Sequence, residues 1–379
     1  MRLSWRHFDF WLLGAVAILT IFGITMIRSA IAENIELLEL DVVRRQLIFA
    51  VAGFAVILIT AAVDYHLWSS ISRLLYIFVA AFLILVSLTA GERFGAVRWL
   101  EVGTILIQPS ELAKIAAILV LADFFARHKE KISDLRWVVR SLLLTLGLVV
   151  LILLQPDLST SIVIMVIWFA LLWASGLRIK HVLSFTGIGA MVIGVGLPIL
   201  LLNFDPTNVE GLIKPYQVRR VVNFLFPDEE ARYGETYNVE QALISIGTGE
   251  WTGKGYDAGS QVQLRFLKVR HVDFIFAALS EEFGFVGALI VMLLLFFVIW
   301  RCLRAARLAR DTFGALIAYG VATLIAFQTI INIGMNLNLL PVTGLPLPFI
   351  SYGGSSLLTT LMGIGLVESV ILRHKALDF

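Results

Sequence analysis

Arg270-His271-Val272-Asp273-Phe274-Ile275-Phe276-Ala277-Ala278-Leu279-Ser280-Glu281-Glu282-Phe283-Gly284 is the stretch on which the fold turns. It opens an apolar run that continues to Trp300, long enough to cross a bilayer. A carboxylate at the mouth of such a run, with two more a few turns in, is costly unless each has a partner or a task. At about 100° per residue, Asp273, Ala277, Ser280, Gly284 and Gly287 share one helix face, a small-residue stripe that lets another helix pack closely. Glu281 lies on the flank of that stripe and Glu282 on the opposite side. The ordinary reading of Asp273 is a helix-start residue satisfying free N–H groups at the positive end of the dipole. The functional reading is a working carboxylate at the external mouth of the helix.

Working outward, the composition is that of a polytopic membrane protein. Of 379 residues, 59% are hydrophobic and only 15% charged, against about 25% charged in soluble domains. The single cysteine, Cys302, excludes an intramolecular disulfide and a cysteine-rich metal site. Ten spanning segments are expected, at 8–28, 46–63, 71–90, 109–126, 137–154, 157–175, 182–202, 271–300, 312–338 and 348–372, giving an all-α fold in one transmembrane domain, 1–379. The first is a retained helix, because Phe8 to Ile27 outruns the ~7–15 apolar residues of a signal peptide. Arg2 and Arg6, the basic linker 127–136, the Arg301–Arg310 group and Arg373 all fall on one side, so both termini are expected in the cytoplasm. The other side carries the acidic link 33–41, the linker 91–108 and one long extracytoplasmic loop, 203–270, between helices seven and eight. Within that loop, Val239 to Ile246 has the pattern of a short amphipathic helix on the membrane surface.

Gly247 to Gly255 invites a phosphate-loop reading and fails it, because a Walker A loop needs Gly at 248 and Ser or Thr at 255; turn chemistry accounts for it. Gln108-Pro109-Ser110-Glu111-Leu112-Ala113-Lys114 starts the fourth segment, with Glu111 and Lys114 at i,i+3 on one face. Such an intramembrane pair is either structural or lines a cavity that receives an anionic headgroup. Gln155-Pro156-Asp157 is a tight external link in which Asp157 reads first as an N-cap. Asn332, Asn336 and Asn338, then Pro341 to Pro348, interrupt an apolar region near the outer face. Broken backbone at membrane depth is tolerated only inside protein or beside a water-filled cavity, which argues for a cavity open to the outside. There is no Ser-His-Asp spacing, no HExxH and no nucleic-acid motif, and the six histidines lack metal-ligand spacing.

Taken in order, these motifs resemble the SEDS family, the shape, elongation, division and sporulation proteins, and most closely its rod-shape branch. The resemblance covers nearly the whole chain. It is carried by Arg98-Trp99 with Gln108 to Lys114, by Gln155 to Thr160, by Gly259-Ser260-Gln261 through His271 to Ala277 with Glu281-Glu282, and by Gly344 to Ser355. The chain departs from the usual pattern at Lys268, commonly Pro, and at Val272, commonly Thr, both close to Asp273.

The resemblance implies a peptidoglycan glycosyltransferase of the bacterial cytoplasmic membrane, active on the extracytoplasmic side and serving cell-wall elongation and shape. It would polymerise lipid II, with the undecaprenyl-pyrophosphate-linked glycan as donor, and would place the essential carboxylate at Asp273. An α donor and a β-1,4 product need one inverting displacement and therefore one positioned base. The pyrophosphate leaving group calls for cations rather than a proton. Lys114, Arg98 and Arg45 are the expected groups, or a divalent cation such as magnesium held with Asp273. Glu111, Ser110, Asp157 and Gln263 complete the expected substrate-binding set. A class B penicillin-binding protein is the expected partner; Gly314, Ala315, Ala318, Gly320, Ala322, Gly363 and Gly365 of the last two helices offer it a docking face, the alternative being that they pack only within this chain. A lipid II flippase and a non-catalytic scaffold for a transpeptidase are the competing readings. Buried charge near the outer face alone favours the enzyme, since a transporter needs it on the inner side as well.

Overall fold

The structure is a computed structural model and describes residues 7–32, 41–89, 100–102, 105–131, 134–177, 187, 215–226 and 235–374. Its helices are α1 (Phe10–Ile31), α2 (Val42–Ala62), α3 (Tyr65–Thr89), α4 (Pro109–Arg127), α5 (Leu135–Leu153), α6 (Leu158–Ala174), α7 (Pro215–Leu225), α8 (Glu235–Thr248), the single turn α9 (Ser260–Gln263), α10 (Ile275–Leu308), α11 (Thr312–Asn336) and α12 (Gly354–Leu372). Two three-residue strands, β1 (Leu100–Val102) and β2 (Ile105–Ile107), pair antiparallel just before α4, a hairpin that a purely α reading omits. Among the described residues, seven helices are long and apolar enough to cross a bilayer: α1, α2, α3, α5, α10, α11 and α12. Of the other expected spans, α4 carries Glu111, Lys114 and Asp123, α6 has 17 residues, and 182–202 lies outside the described residues except for Gly187.

Local chemistry sets the helix starts. Asp9, Asp134, Asp157 and Asp311 each accept a backbone N–H from the first turn of α1, α5, α6 and α11, and Pro109 opens α4 where its missing N–H costs nothing. In the middle sits α4. It packs on α3, α6, α11, α5 and α12, and nearly every side chain from Pro109 to Ala122 is buried. A helix bearing charges at membrane depth cannot face lipid, so the fold surrounds it with protein. The small residues expected to receive a partner are spent inside this chain. A Cβ on Gly365 would lie 2.9 Å from the Ile57 backbone, one on Gly320 would meet Ile118, one on Gly363 Val321, and one on Gly314 Tyr65. That docking face is therefore internal.

Asp273 is not on a helix. It lies in the turn 268–274, and α10 begins at Ile275 and runs on to Leu308, beyond the expected end. The helix breaks at Gly284, with φ 64° and ψ −166°. The loop after α8 fills the break. The N–H groups of Phe285 and Val286 donate to the carbonyls of Glu250 and Trp251 at 2.8 and 3.1 Å. The carbonyls of Glu281 and Glu282 accept from Lys254 and Gly255 at 3.0 and 2.9 Å. Those four groups would have bonded one another in an unbroken helix, 285 to 281 and 286 to 282. The loop thus satisfies these four backbone groups in place of the helix. The stripe of Ser280 and Gly284 accordingly receives this loop, while α8 packs alongside.

Candidate active site

A cleft of about 550 Å³ opens between the starts of α4 and α6, the middle of α7, the 269–273 turn and the 341–356 segment. Asp273, Glu111, Asp157, Gln108, Arg220 and Tyr352 line it. The Asp273 turn is held from behind by α11. Asn336 and Asn332 donate through Nδ2 to the Asp273 carbonyl at 3.0 and 3.2 Å, and Asn336 Oδ1 accepts the Ala277 N–H at 3.1 Å. Asn332 also donates to the Leu345 carbonyl at 2.8 Å, so two asparagines one turn apart fix both loops that flank the carboxylate. Ser351 Oγ donates to the Val272 carbonyl at 2.7 Å, and the Tyr352 N–H to the His271 carbonyl at 3.0 Å. At Gly344, where φ is 75°, a Cβ would sit 3.9 Å from Asp273 Oδ2. The glycine lets the segment turn directly over that carboxylate.

The other expected residues divide cleanly. Glu111 and Lys114 do form an ion pair, Nζ to Oε2 2.7 Å, with side chains only 6% and 1% exposed; Glu111 reaches the cleft and Lys114 stands behind it. Asp157 is an N-cap whose carboxylate is fully engaged. It accepts the Thr160 N–H and hydroxyl, Gln108 Nε2 and Ser110 Oγ, all at 2.9–3.1 Å. Ser110 therefore positions Asp157 rather than reaching outward. Gln263 is not in the cleft; it donates to Asp257 Oδ1 at 2.8 Å in the loop before the 268–274 turn. Arg45 lies on the first turn of α2 and is not among the residues that line the cleft. Arg98 lies outside the described residues.

Sequence reading missed two contributors. Arg220 reaches the cleft from α7, and the signal for it was a basic residue on a short helix opened by Pro215. Gln46, on α2, clamps the 351–353 segment, donating to the Ser351 carbonyl and accepting the Gly353 N–H at 3.3 Å each. One expectation fails outright. Buried charge does not cluster near the outer face alone, because Asp9, Arg301 and Glu368 meet at the other end of the bundle, with Glu368 accepting the Asp9 N–H at 3.0 Å.

Glu281 and Glu282, deep in α10, serve the loop and not the cleft. Glu281 binds Lys254 Nζ at 2.7 Å, Ser260 Oγ, and the N–H groups of Gln261 and Val262. Glu282 accepts from Ser29 of α1. Among the described residues no group of three or more His, Cys, Asp or Glu side chains is arranged to hold a metal ion.

A family model described as "Cell cycle protein", for FtsW, RodA and SpoVE, matches residues 10–376. The peptidoglycan glycosyltransferase MrdB of Escherichia coli K12 is 34% identical over 372 residues, covering 98% of this chain and 95% of that protein. The rod shape determining protein RodA of Thermus thermophilus has a crystal structure that superimposes with a TM-score of 0.68 at 27% identity, covering 96% of each chain. A chain from a peptidoglycan synthase complex that coordinates polymerization and crosslinking superimposes with a TM-score of 0.78 at 28% identity, covering 97% of this chain and 98% of that one.

Proposed function

This chain belongs to the FtsW, RodA and SpoVE family and is a peptidoglycan glycosyltransferase; we propose that it polymerises lipid II at the Asp273 cleft, on the extracytoplasmic side of a ten-helix bundle with both termini in the cytoplasm. The observation that carries this reading is the convergence, in one cleft, of Asp273 on a turn clamped by Asn332 and Asn336 with Glu111 and Arg220 across from it. Asp273 takes the proton from the 4-hydroxyl of the incoming lipid II sugar. That oxygen attacks the anomeric carbon of the glycan, inverting it, and the bond to undecaprenyl pyrophosphate breaks. The rigid backbone at residue 273 is the preorganisation such proton transfer needs. Arg220, with Lys114 supplying field from behind Glu111, balances the leaving charge.

The cleft would offer a divalent cation the Asp273 carboxylate, which lines it beside Gly344. Phosphate oxygens and water would complete its shell, and it would supply charge stabilisation to the leaving pyrophosphate. The role in elongation, the inner-membrane location and a class B penicillin-binding protein as partner belong to the same proposal. The synthase-complex relative supports the partner. The inner-half cluster of Asp9, Arg301 and Glu368 favours the flippase alternative, and one assay separates the readings. Purified protein with lipid II should make glycan strands, and Asp273→Asn should lower the rate roughly 10²-fold while leaving the protein folded. Near-normal synthesis by folded Asp273→Asn protein refutes the assignment.

A further inference from the structure

We propose that the protein holds an anionic phospholipid of the inner leaflet in a groove at the cytoplasmic ends of α6, α10 and α11. The proposal rests on the orientation given above and is independent of the glycosyl transfer. The groove encloses about 820 Å³, far from the Asp273 cleft along the bundle. Its walls are apolar at Leu303, Ala306 and Leu316, and Trp173 and Trp300 flank it, 49% and 40% exposed. Indoles at this level mark the headgroup boundary, so the groove begins where acyl chains end.

Three cations converge there: Lys129, Arg307 and Arg310. Basic residues at the cytoplasmic ends of helices are ordinary, and three in this protein are tied to carboxylates. Arg127 pairs with Asp123 at 2.9 Å, Arg373 with Asp64 at 3.5 Å, and Arg301 with Asp9. The three groove cations have no such partner among the described residues. The one carboxylate in the groove, Asp311, is turned to other work; its Oδ1 accepts the Gly314 N–H at 2.8 Å and its Oδ2 lies 2.7 Å from His66 Nε2. What remains is a recess with apolar walls, headgroup-level indoles and an excess of positive charge, three cations against one carboxylate. That is the chemistry that retains a phosphate headgroup with its chains, whereas a zwitterionic lipid would bring its ammonium against the same cations.

The test is lipid titration of the purified full-length protein, read by native mass spectrometry, with cardiolipin, phosphatidylglycerol and phosphatidylethanolamine as separate probes. A cation near an anionic surface contributes about fivefold in affinity, so Arg307→Ala/Arg310→Ala should weaken retention of both anionic lipids about 25-fold. Phosphatidylethanolamine should bind weakly and equally to both proteins. Arg304→Ala, which removes an exposed cation of the same helix outside the groove, should keep wild-type retention. Raising ionic strength should release the anionic lipids from the wild type and leave phosphatidylethanolamine unchanged. Equal retention of all three lipids, salt-insensitive binding, or undiminished anionic binding by the double variant overturns the proposal. Glycan synthesis by the same preparations reports folding. Its failure in the wild type would sink the enzyme reading while leaving the lipid result legible.

Discussion

Gly284→Ala isolates the contribution of the loop that completes α10. The new Cβ would lie 2.4 Å from Gly253 N and 2.6 Å from Thr252 N, and both are backbone atoms that cannot swing aside. The conformation, φ 64° and ψ −166°, is one that only glycine adopts without strain, at a cost of about 1–3 kcal/mol for any other residue. Expelling the loop would also break the four hydrogen bonds from residues 250–255, at about 1 kcal/mol each. The sum is about 5–7 kcal/mol, which over 379 residues lowers the thermal midpoint by roughly 6–9 °C. Function should fall with it, because the same loop carries Lys254 and Ser260 to Glu281 and leads into the turn that bears Asp273. The assay is a melting curve in detergent beside lipid II polymerisation at a temperature where the variant is folded. Gly14→Ala is the control, since a Cβ there meets nothing within 4 Å. A Gly284→Ala protein that melts and polymerises as the wild type does refutes the reasoning.

The Glu111–Lys114 pair separates structure from chemistry. Either single change, Glu111→Gln or Lys114→Met, leaves a lone buried charge or polar group and should destabilise by about 3–5 kcal/mol, whereas the double change should restore stability. If the pair also serves the pyrophosphate, the stable double variant stays inactive; full activity in it would show the pair to be structural only. His271 makes stability depend on pH. Burial, with repulsion from Arg270, holds its imidazole down at about 4, below the ordinary value of 6.5. The unfolded chain therefore takes up the proton first, and stability is lost as pH falls from about 6.5 towards 4, by roughly 2 kcal/mol at pH 5 before solvent screening reduces it. His271→Phe should flatten that slope in melting curves taken at pH 7 and pH 5, and parallel slopes would show that another group is responsible.

How far the sequence can be read depends on whether the cause is local. Helix ends such as Pro109, Asp157 and Asp311 announce themselves because capping is settled within a turn. Glu111 with Lys114 was legible for the same reason, being a spacing of three on one helix. The small residues of α11 and α12 stayed ambiguous because the same composition suits an internal and an external neighbour, and only the tertiary arrangement puts Ile57 against Gly365. Placing Asp273 on a helix face failed because hydropathy continues smoothly across the turn. Nothing local says that Asn332 and Asn336, about sixty residues later, hold the backbone in place. Arg220 sits on α7, whose own sequence can show an amphipathic helix but not that its basic residue meets the start of α4 across a cleft.

The position of α4 bears on how the protein comes to exist. Its charged turns, with Glu111, Lys114 and Asp123, make it a poor passenger for lipid by itself, and its covering comes from both directions along the chain. The first neighbours, α3 and α6, are synthesised close to it, but α11 follows nearly two hundred residues later. Throughout that interval the nascent chain carries an ion pair whose shelter is incomplete. A ribosome that stops early thus leaves behind a bundle with a polar seam open to the bilayer, a mark by which quality-control proteases can tell an unfinished enzyme from a finished one.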